Sequence, residues 1–122
     1  MTPTVLLIED NEQNLYLTTF LLERHGVRVV QARSGPEGLA LARMERHDLI
    51  IMDIQLPGMD GYAVTKELRQ DPSQRGVPIV AVTSFAMPGD RERAIEAGCS
   101  GYIEKPINPD TFLNEIRRFL AF

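Results

Sequence analysis

Three short apolar runs in this 122-residue chain stop at side chains that can do chemistry. Val5-Leu6-Leu7-Ile8 meets Glu9-Asp10, Leu49-Ile50-Ile51-Met52 meets Asp53, and Ile79-Val80-Ala81-Val82 meets Thr83-Ser84. A weaker run, Gly101-Tyr102-Ile103, leads through Glu104 to Lys105-Pro106. If these runs enter one layer in the same direction, three carboxylates, a hydroxyl and an ammonium converge on one rim. Two carboxylates about 4 Å apart repel by roughly 4 kcal/mol at an effective dielectric near 20, so three of them invite a cation or a raised pKa. Mg²⁺ meets that demand, because it takes oxygen ligands and is often held by only one or two carboxylates together with a substrate phosphate. A lysine and a hydroxyl on the opposite side would contact the remaining oxygens of a phosphoryl group, as transfer chemistry requires. Asp53 could then be the nucleophile, giving an aspartyl phosphate. Glu9 is the outlying member, since adjacent side chains point to different sides of the chain, and it is expected to reach a metal through water.

The elements that must position these residues can be read from the pattern around them. The runs at 5–8, 49–52 and 79–82 are continuously apolar, as parallel strands covered on both faces are, whereas Val27-Arg28-Val29-Val30 is interrupted by a charge and reads as an edge. Helical segments lie between them. Asn11-Glu12-Gln13-Asn14 can cap a first helix carrying Leu15, Phe20 and Leu22, closed by His25-Gly26. Ser34 is placed to cap a second helix, with Glu37 at the capping-box position, and Asp60 a third with Gly61, Val64 and Leu68 on one face. Pro88-Gly89-Asp90 opens a fourth, with Ala94 and Ile95 expected inward and Gly98 past its end. The stripe Phe112, Leu113, Ile116, Phe119, Leu120 marks a fifth, best explained as core packing. Strict βα alternation gives a three-layer α/β fold, with its functional crevice at the carboxyl ends of the strands. His25 is expected to satisfy the last carbonyls of the first helix and His47 a turn.

Composition narrows the function classes. One domain spanning 1–122 accounts for the length, and 43% hydrophobic with 25% charged residues is ordinary for a globular protein. No apolar run approaches the ~18 residues of a membrane span, and the N-terminus shows no secretory pattern, so a cytoplasmic location is expected. The single Cys99 agrees with a reducing compartment and reads as a small buried hydrophobe. A net charge of -4 argues against a broad nucleic-acid footprint.

The stretches ED at 9–10, MDIQLPGMDG at 52–61, VTSFAM at 82–87 and YIEKP at 102–106 resemble the receiver domains of two-component response regulators, across essentially the whole chain. The likeness is greatest to single-domain regulators of the DivK kind and to receivers of hybrid histidine kinases. It implies a (βα)5 flavodoxin-like fold with a parallel five-stranded sheet of order 2-1-3-4-5 and no output domain. It also implies a phosphorylation-activated switch, not a conventional enzyme, that catalyses only its own phosphorylation and dephosphorylation. Carried across residue by residue, Asp53 becomes the phosphoacceptor. Asp10 becomes a direct Mg²⁺ ligand, Glu9 an acidic-pocket residue, and the backbone carbonyl of Gln55 a further ligand. Thr83 matches the switch hydroxyl, Lys105 the phosphate-binding lysine and Tyr102 the rotating aromatic, while Gln55 and Phe85 stand where the family tunes phosphate lifetime. Ser84 departs from the smaller residue usual after the switch Thr. The Lys105-Pro106 bond is expected cis.

The implied partners are a histidine kinase or histidine phosphotransfer protein, docking at the first helix, and a downstream protein meeting the fourth-helix, fifth-strand and fifth-helix face. Neither nucleic acid nor membrane is expected, and the chain should be a monomer or weak dimer. Leu15, Tyr16 and Leu17 make the first helix apolar over more than half its circumference, which suggests a docking patch. Other readings are an unphosphorylated receiver-fold scaffold and a receiver fragment of a hybrid kinase. An aspartyl phosphatase of the haloacid-dehalogenase kind needs a second Asp where Gln55 stands, and a nucleotide site needs a glycine-rich or Walker lysine loop where Glu-Asp-Asn stands.

Overall fold

The computed structural model describes residues 2–84 and 87–120. Five strands, β1 (Thr4–Ile8), β2 (Arg28–Ala32), β3 (Leu49–Asp53), β4 (Ile79–Thr83) and β5 (Gly101–Glu104), form one parallel sheet in the order β2-β1-β3-β4-β5. The helices are α1 (Glu12–Glu23), α2 (Gly35–Met44), α3 (Gly61–Gln70), α4 (Asp90–Ala97) and α5 (Phe112–Ile116), with a short 3-10 turn at Pro72–Gln74. Strand residues alternate between two cores. Leu6, Ile8, Ile50, Met52, Ile79 and Ala81 pack with α2, α3 and α4, while Val5, Leu7, Leu49, Ile51, Val80 and Val82 pack with α1 and α5. Burial on both faces is why β1, β3 and β4 carry unbroken apolar runs. The edge strand β2, with Arg28 exposed, does not.

The helix starts follow their side-chain signals. Asn11 Oδ1 accepts from the Asn14 N–H, Ser34 Oγ from Glu37 and Asp60 Oδ1 from Ala63, each quenching an orphan donor of the first turn. Glu37 folds back to accept from the Arg33 N–H, one residue outside the usual capping box. At the far end of α4, Gly98 adopts φ 115 and its carbonyl accepts from Arg69 Nε at 2.9 Å. The same guanidinium donates to the Gln74 carbonyl at 2.8 Å, tying α3, the 3-10 turn and the end of α4 together.

Some expectations change. Ile95 does not face inward: it is half exposed, because Ala94 and Ala97 already turn the narrow face of α4 to the sheet. The fifth helix is regular only over Phe112–Ile116, after which Arg118 and Phe119 bond three residues back and the chain tightens. The apolar stripe survives that change, with Phe112, Ile116 and Leu120 buried. Leu15 belongs to the core, so the exposed apolar surface of α1 is the stacked pair Tyr16 and Phe20. His25 behaves as expected, with Nδ1 3.0 Å from the Leu21 carbonyl oxygen.

His47 does not satisfy a turn. It is buried, neither ring nitrogen has a hydrogen-bond partner among the described residues, and Glu45 Oε1 lies 3.7 Å from Nε2. Burial pushes its pKa below the usual value, reinforced by Arg28 and opposed by Glu45 and Asp48. The unfolded chain therefore binds a proton more readily than the folded one, so His47 leaves stability intact above about pH 6.5 and removes it as pH falls through the window below. Urea unfolding of the wild type should weaken between pH 7.5 and 5.5 more than that of His47→Leu, the excess being at most about 1.4 kcal/mol per pH unit. Parallel pH profiles in the two proteins would contradict this.

Candidate functional site

The carboxyl ends of β1, β3, β4 and β5 bring Glu9, Asp53, Thr83 and Lys105 to one rim, because all four strands run the same way. Asp53 ends the central strand and, like Glu9 and Thr83, is almost fully buried, whereas Asp10 is exposed. Each of Glu9, Asp10 and Asp53 offers an oxygen within 4.8 Å of the others. The loop after β3 is held by two short bonds, from the Gln55 N–H to Asp53 Oδ1 at 2.9 Å and from the Gly61 N–H to the Ile54 carbonyl at 2.8 Å. A side chain at Gly61 would put its Cβ 2.7 Å from the Ile54 Cα, so glycine there lets α3 start directly against the acceptor strand.

Lys105 is not set opposite the acids. Its ammonium donates to Glu9 Oε1 at 2.7 Å and to Asp53 Oδ2 at 3.0 Å, and its side chain is 7% exposed. Burial alone would lower its pKa, but the bonds and charges of Glu9 and Asp53 outweigh burial and hold it up. Glu9 is pushed up to about 7, first by burial and then by Asp53, with Lys105 pulling the other way. The cluster is thus short of positive charge: one ammonium serves two buried carboxylates while Asp10 adds a third acid at the rim. Hard oxygen donors in that excess suit a divalent cation such as Mg²⁺.

The other anticipated residues fall around this centre. The Lys105 N–H donates to the Thr83 carbonyl at 2.7 Å, which fixes the lysine backbone beside the hydroxyl-bearing residue, and the Lys105-Pro106 bond is cis. Gln55 Oε1 accepts from the Ser84 N–H at 3.3 Å, joining the loops after β3 and β4. Tyr102 lies on β5 with its ring buried and its hydroxyl unpaired among the described residues, apart from the acid cluster. Phe85 lies outside the described residues. Two features were not anticipated. Arg91 places its guanidinium 5.3 Å from the centroid of the Tyr102 ring, and Asn14 lines a cleft beside Lys105. A lone arginine or asparagine in a helix's first turns carries no signal of such contacts before the helices are placed.

Among the described residues no helix is long and apolar enough to cross a membrane. Comparison with known proteins places this geometry. The polar-differentiation response regulator DivK of Brucella ovis is 48% identical over 121 residues, covering 99% of this chain and 98% of the relative. The receiver domain of sensor histidine kinase PA1611 from Pseudomonas aeruginosa, solved with a magnesium ion coordinated in its active site cleft, is 35% identical with a TM-score of 0.89, over 98% of both chains. The receiver domain of the Saccharomyces cerevisiae response regulator Ssk1, solved with the histidine phosphotransfer protein Ypd1, is 29% identical with a TM-score of 0.88, over 97% of this chain and 88% of that one. The response regulator receiver domain model matches residues 5–117. With the acidic rim, the buried lysine and the 2-1-3-4-5 sheet already in place, the chain belongs to the response regulator receiver domains, the signalling switches of two-component systems.

Proposed function

We propose that Asp53 accepts a phosphoryl group from a phosphohistidine on a histidine kinase or histidine phosphotransfer protein, and that the added charge changes the partner-binding surface. The observation that carries this reading is the buried hydrogen-bond set in which one ammonium, Lys105, bridges Asp53 and Glu9 at the tips of separate strands. An Asp53 oxygen attacks phosphorus and forms the new P–O bond. The P–N bond to the donor imidazole breaks, and its electron pair stays with the ring. Lys105, already 3.0 Å from Asp53 Oδ2, is within reach of the arriving oxygens and balances their charge. Glu9, Asp10, Asp53 and the backbone carbonyl of Gln55 would hold Mg²⁺, which when bound neutralises charge on the phosphoryl oxygens. The chain acts as catalyst only for its own phosphorylation and dephosphorylation.

Thr83 is the hydroxyl drawn to the new charge and Tyr102 the ring that responds, so phosphorylation biases an existing equilibrium. Gln55 and Phe85 set how long the phosphate lasts. The donor docks on α1 through the exposed rings of Tyr16 and Phe20, and the signal leaves by the face of α4, β5 and α5 toward a downstream protein. The protein works as a cytoplasmic monomer or weak dimer, with neither nucleic acid nor membrane as a partner. Incubation with Mg²⁺ and acetyl phosphate should add one acid-labile phosphoryl group to the intact mass, and Asp53→Asn should gain none. A wild-type chain whose mass does not change would sink the reading.

A further inference from the structure

A cleft of about 270 Å³ opens beside Lys105, with Asn14, Ser84 and Pro106 as its other walls. Lys105 bonds to Asp53 and Glu9, so whatever fills the cleft stands one side chain away from the acceptor. Phosphoryl transfer needs the attacking oxygen, the phosphorus and the leaving atom roughly in line. With Asp53 only 5% exposed, the leaving group has to occupy open space that adjoins this cluster. The cleft has ample room for a single planar ring.

Of its walls, Asn14 keeps hydrogen-bonding capacity in reserve. Its backbone N–H donates to Asn11 Oδ1 at 3.0 Å, which pins the residue in the first turn of α1, while its side-chain amide makes no hydrogen bond to any described residue. Ser84 is exposed, its N–H already donates to Gln55 and its hydroxyl can turn to water, and Pro106 has no N–H to give. A half-exposed amide carried on the first turn of a helix is a polar group open to an incoming ligand at the mouth of the site.

We infer that Asn14 positions the departing imidazole of the phosphodonor, its Oδ1 accepting the N–H of the ring nitrogen that does not carry phosphorus. The inference rests on the reading of Asp53 as acceptor. The donor reacts as the imidazolium: P–O forms, P–N breaks, the electron pair returns to the leaving nitrogen, and neutral imidazole departs with its N–H still bonded to Asn14. No proton changes hands. Asn14 favours the protonated, reactive form of the donor and holds the ring in line, a positioning role.

Phosphoimidazole and acetyl phosphate carry the same phosphoryl group, but only the first leaves as a ring with an N–H. With Mg²⁺ present, the second-order rate constant for phosphoimidazole divided by that for acetyl phosphate is expected to fall about tenfold in Asn14→Leu, the loss of one hydrogen bond to a charged group. In Asn14→Asp the ratio should hold or rise, because the acceptor oxygen remains. The extra negative charge repels the acetyl phosphate dianion more than the imidazolium donor and so also pushes the ratio up, which leaves the fall in the leucine variant as the deciding result. Should the leucine variant fail to fold by circular dichroism, Asn14→Ala replaces it. Ratios within about twofold of wild type in both variants overturn the inference while leaving the acceptor reading intact. A wild-type chain that takes phosphate from neither donor overturns that reading and this inference with it.

Discussion

A Lys105→Met chain should fold, yet take phosphate onto Asp53 about a hundredfold more slowly than wild type, the usual scale for losing one preorganised charge-stabilising donor. Methionine matches the length of the lysine stem inside the 7% exposed channel but cannot donate to Asp53 Oδ2 or Glu9 Oε1. Stability should respond to pH as well. Lys105 is one of the groups that hold the Glu9 pKa down, so its removal raises that pKa further from the usual carboxylate range. An acid whose folded pKa lies above its unfolded value is most compatible with the fold at low pH and costs stability as pH rises through that interval. Leaving a buried charge uncompensated costs up to about 3–5 kcal/mol, and proton uptake by Glu9 removes most of that on the acid side. Urea unfolding should therefore show a larger deficit at pH 8 than at pH 6, and initial labelling rates with acetyl phosphate give the kinetic half. A variant labelled at the wild-type rate would remove Lys105 from the chemistry.

Gly61→Ala is expected to be among the most damaging single-atom insertions in the chain. Its Cβ would stand 2.7 Å from the Ile54 Cα and 2.9 Å from the Asp53 carbonyl oxygen, far inside the ~3.5–4.0 Å at which such atoms rest. Those are backbone atoms and cannot rotate away. The Gly61 N–H to Ile54 carbonyl bond at 2.8 Å ties the start of α3 to the loop that would have to retreat. In an open helix alanine would gain about 1 kcal/mol over glycine, but overpacking of this kind costs about 1–3 kcal/mol or more and reverses the sign. A fall in melting temperature of about 10 °C is expected, together with slower labelling because the Asp53 peptide is displaced. Gly76→Ala is the control, since its Cβ would meet only the Arg46 guanidinium at 3.7 Å and should leave the melt unchanged. Equal melting temperatures for both variants would show that the loop after β3 yields freely.

The sequence made the strand tips readable because residues covered on both faces must be apolar until the sheet ends, so Glu9, Asp53 and Thr83 are marked by where hydrophobicity stops. The caps of α1, α2 and α3 were readable for a similarly local reason, with Asn11, Ser34 and Asp60 bonding three residues ahead. What could not be read depends on neighbours distant in sequence. Lys105 bonds across 96 and 52 positions to Glu9 and Asp53, and nothing near it says that it lies among the acids and not across from them. The apolar side chain of Ile95 argues for an inward place, yet helix phase gives that place to Ala94 and Ala97. His47 has ordinary turn residues around it, and only the closed fold leaves its nitrogens without partners.

The tie made by Arg69 gives α4 an uneven freedom. At its carboxyl end the helix is bolted: Arg69 grips the Gly98 carbonyl, and two residues on the Ser100 N–H donates to the Ile79 carbonyl at the foot of β4. At its amino end it begins on Gly89, and Asp90 makes the contacts there: its carbonyl accepts from the Tyr62 hydroxyl at 3.4 Å and its Oδ2 from the Met87 N–H at 2.8 Å. A helix gripped by a charged donor at 2.9 Å at one end and tied to α3 by a neutral hydroxyl at 3.4 Å at the other yields first at the amino end, with Gly98 as its fulcrum. A small pull near Thr83 would swing Arg91, close to the amino end, through a wider arc than Ala97, so the residue stacked on Tyr102 rides where the stroke is longest.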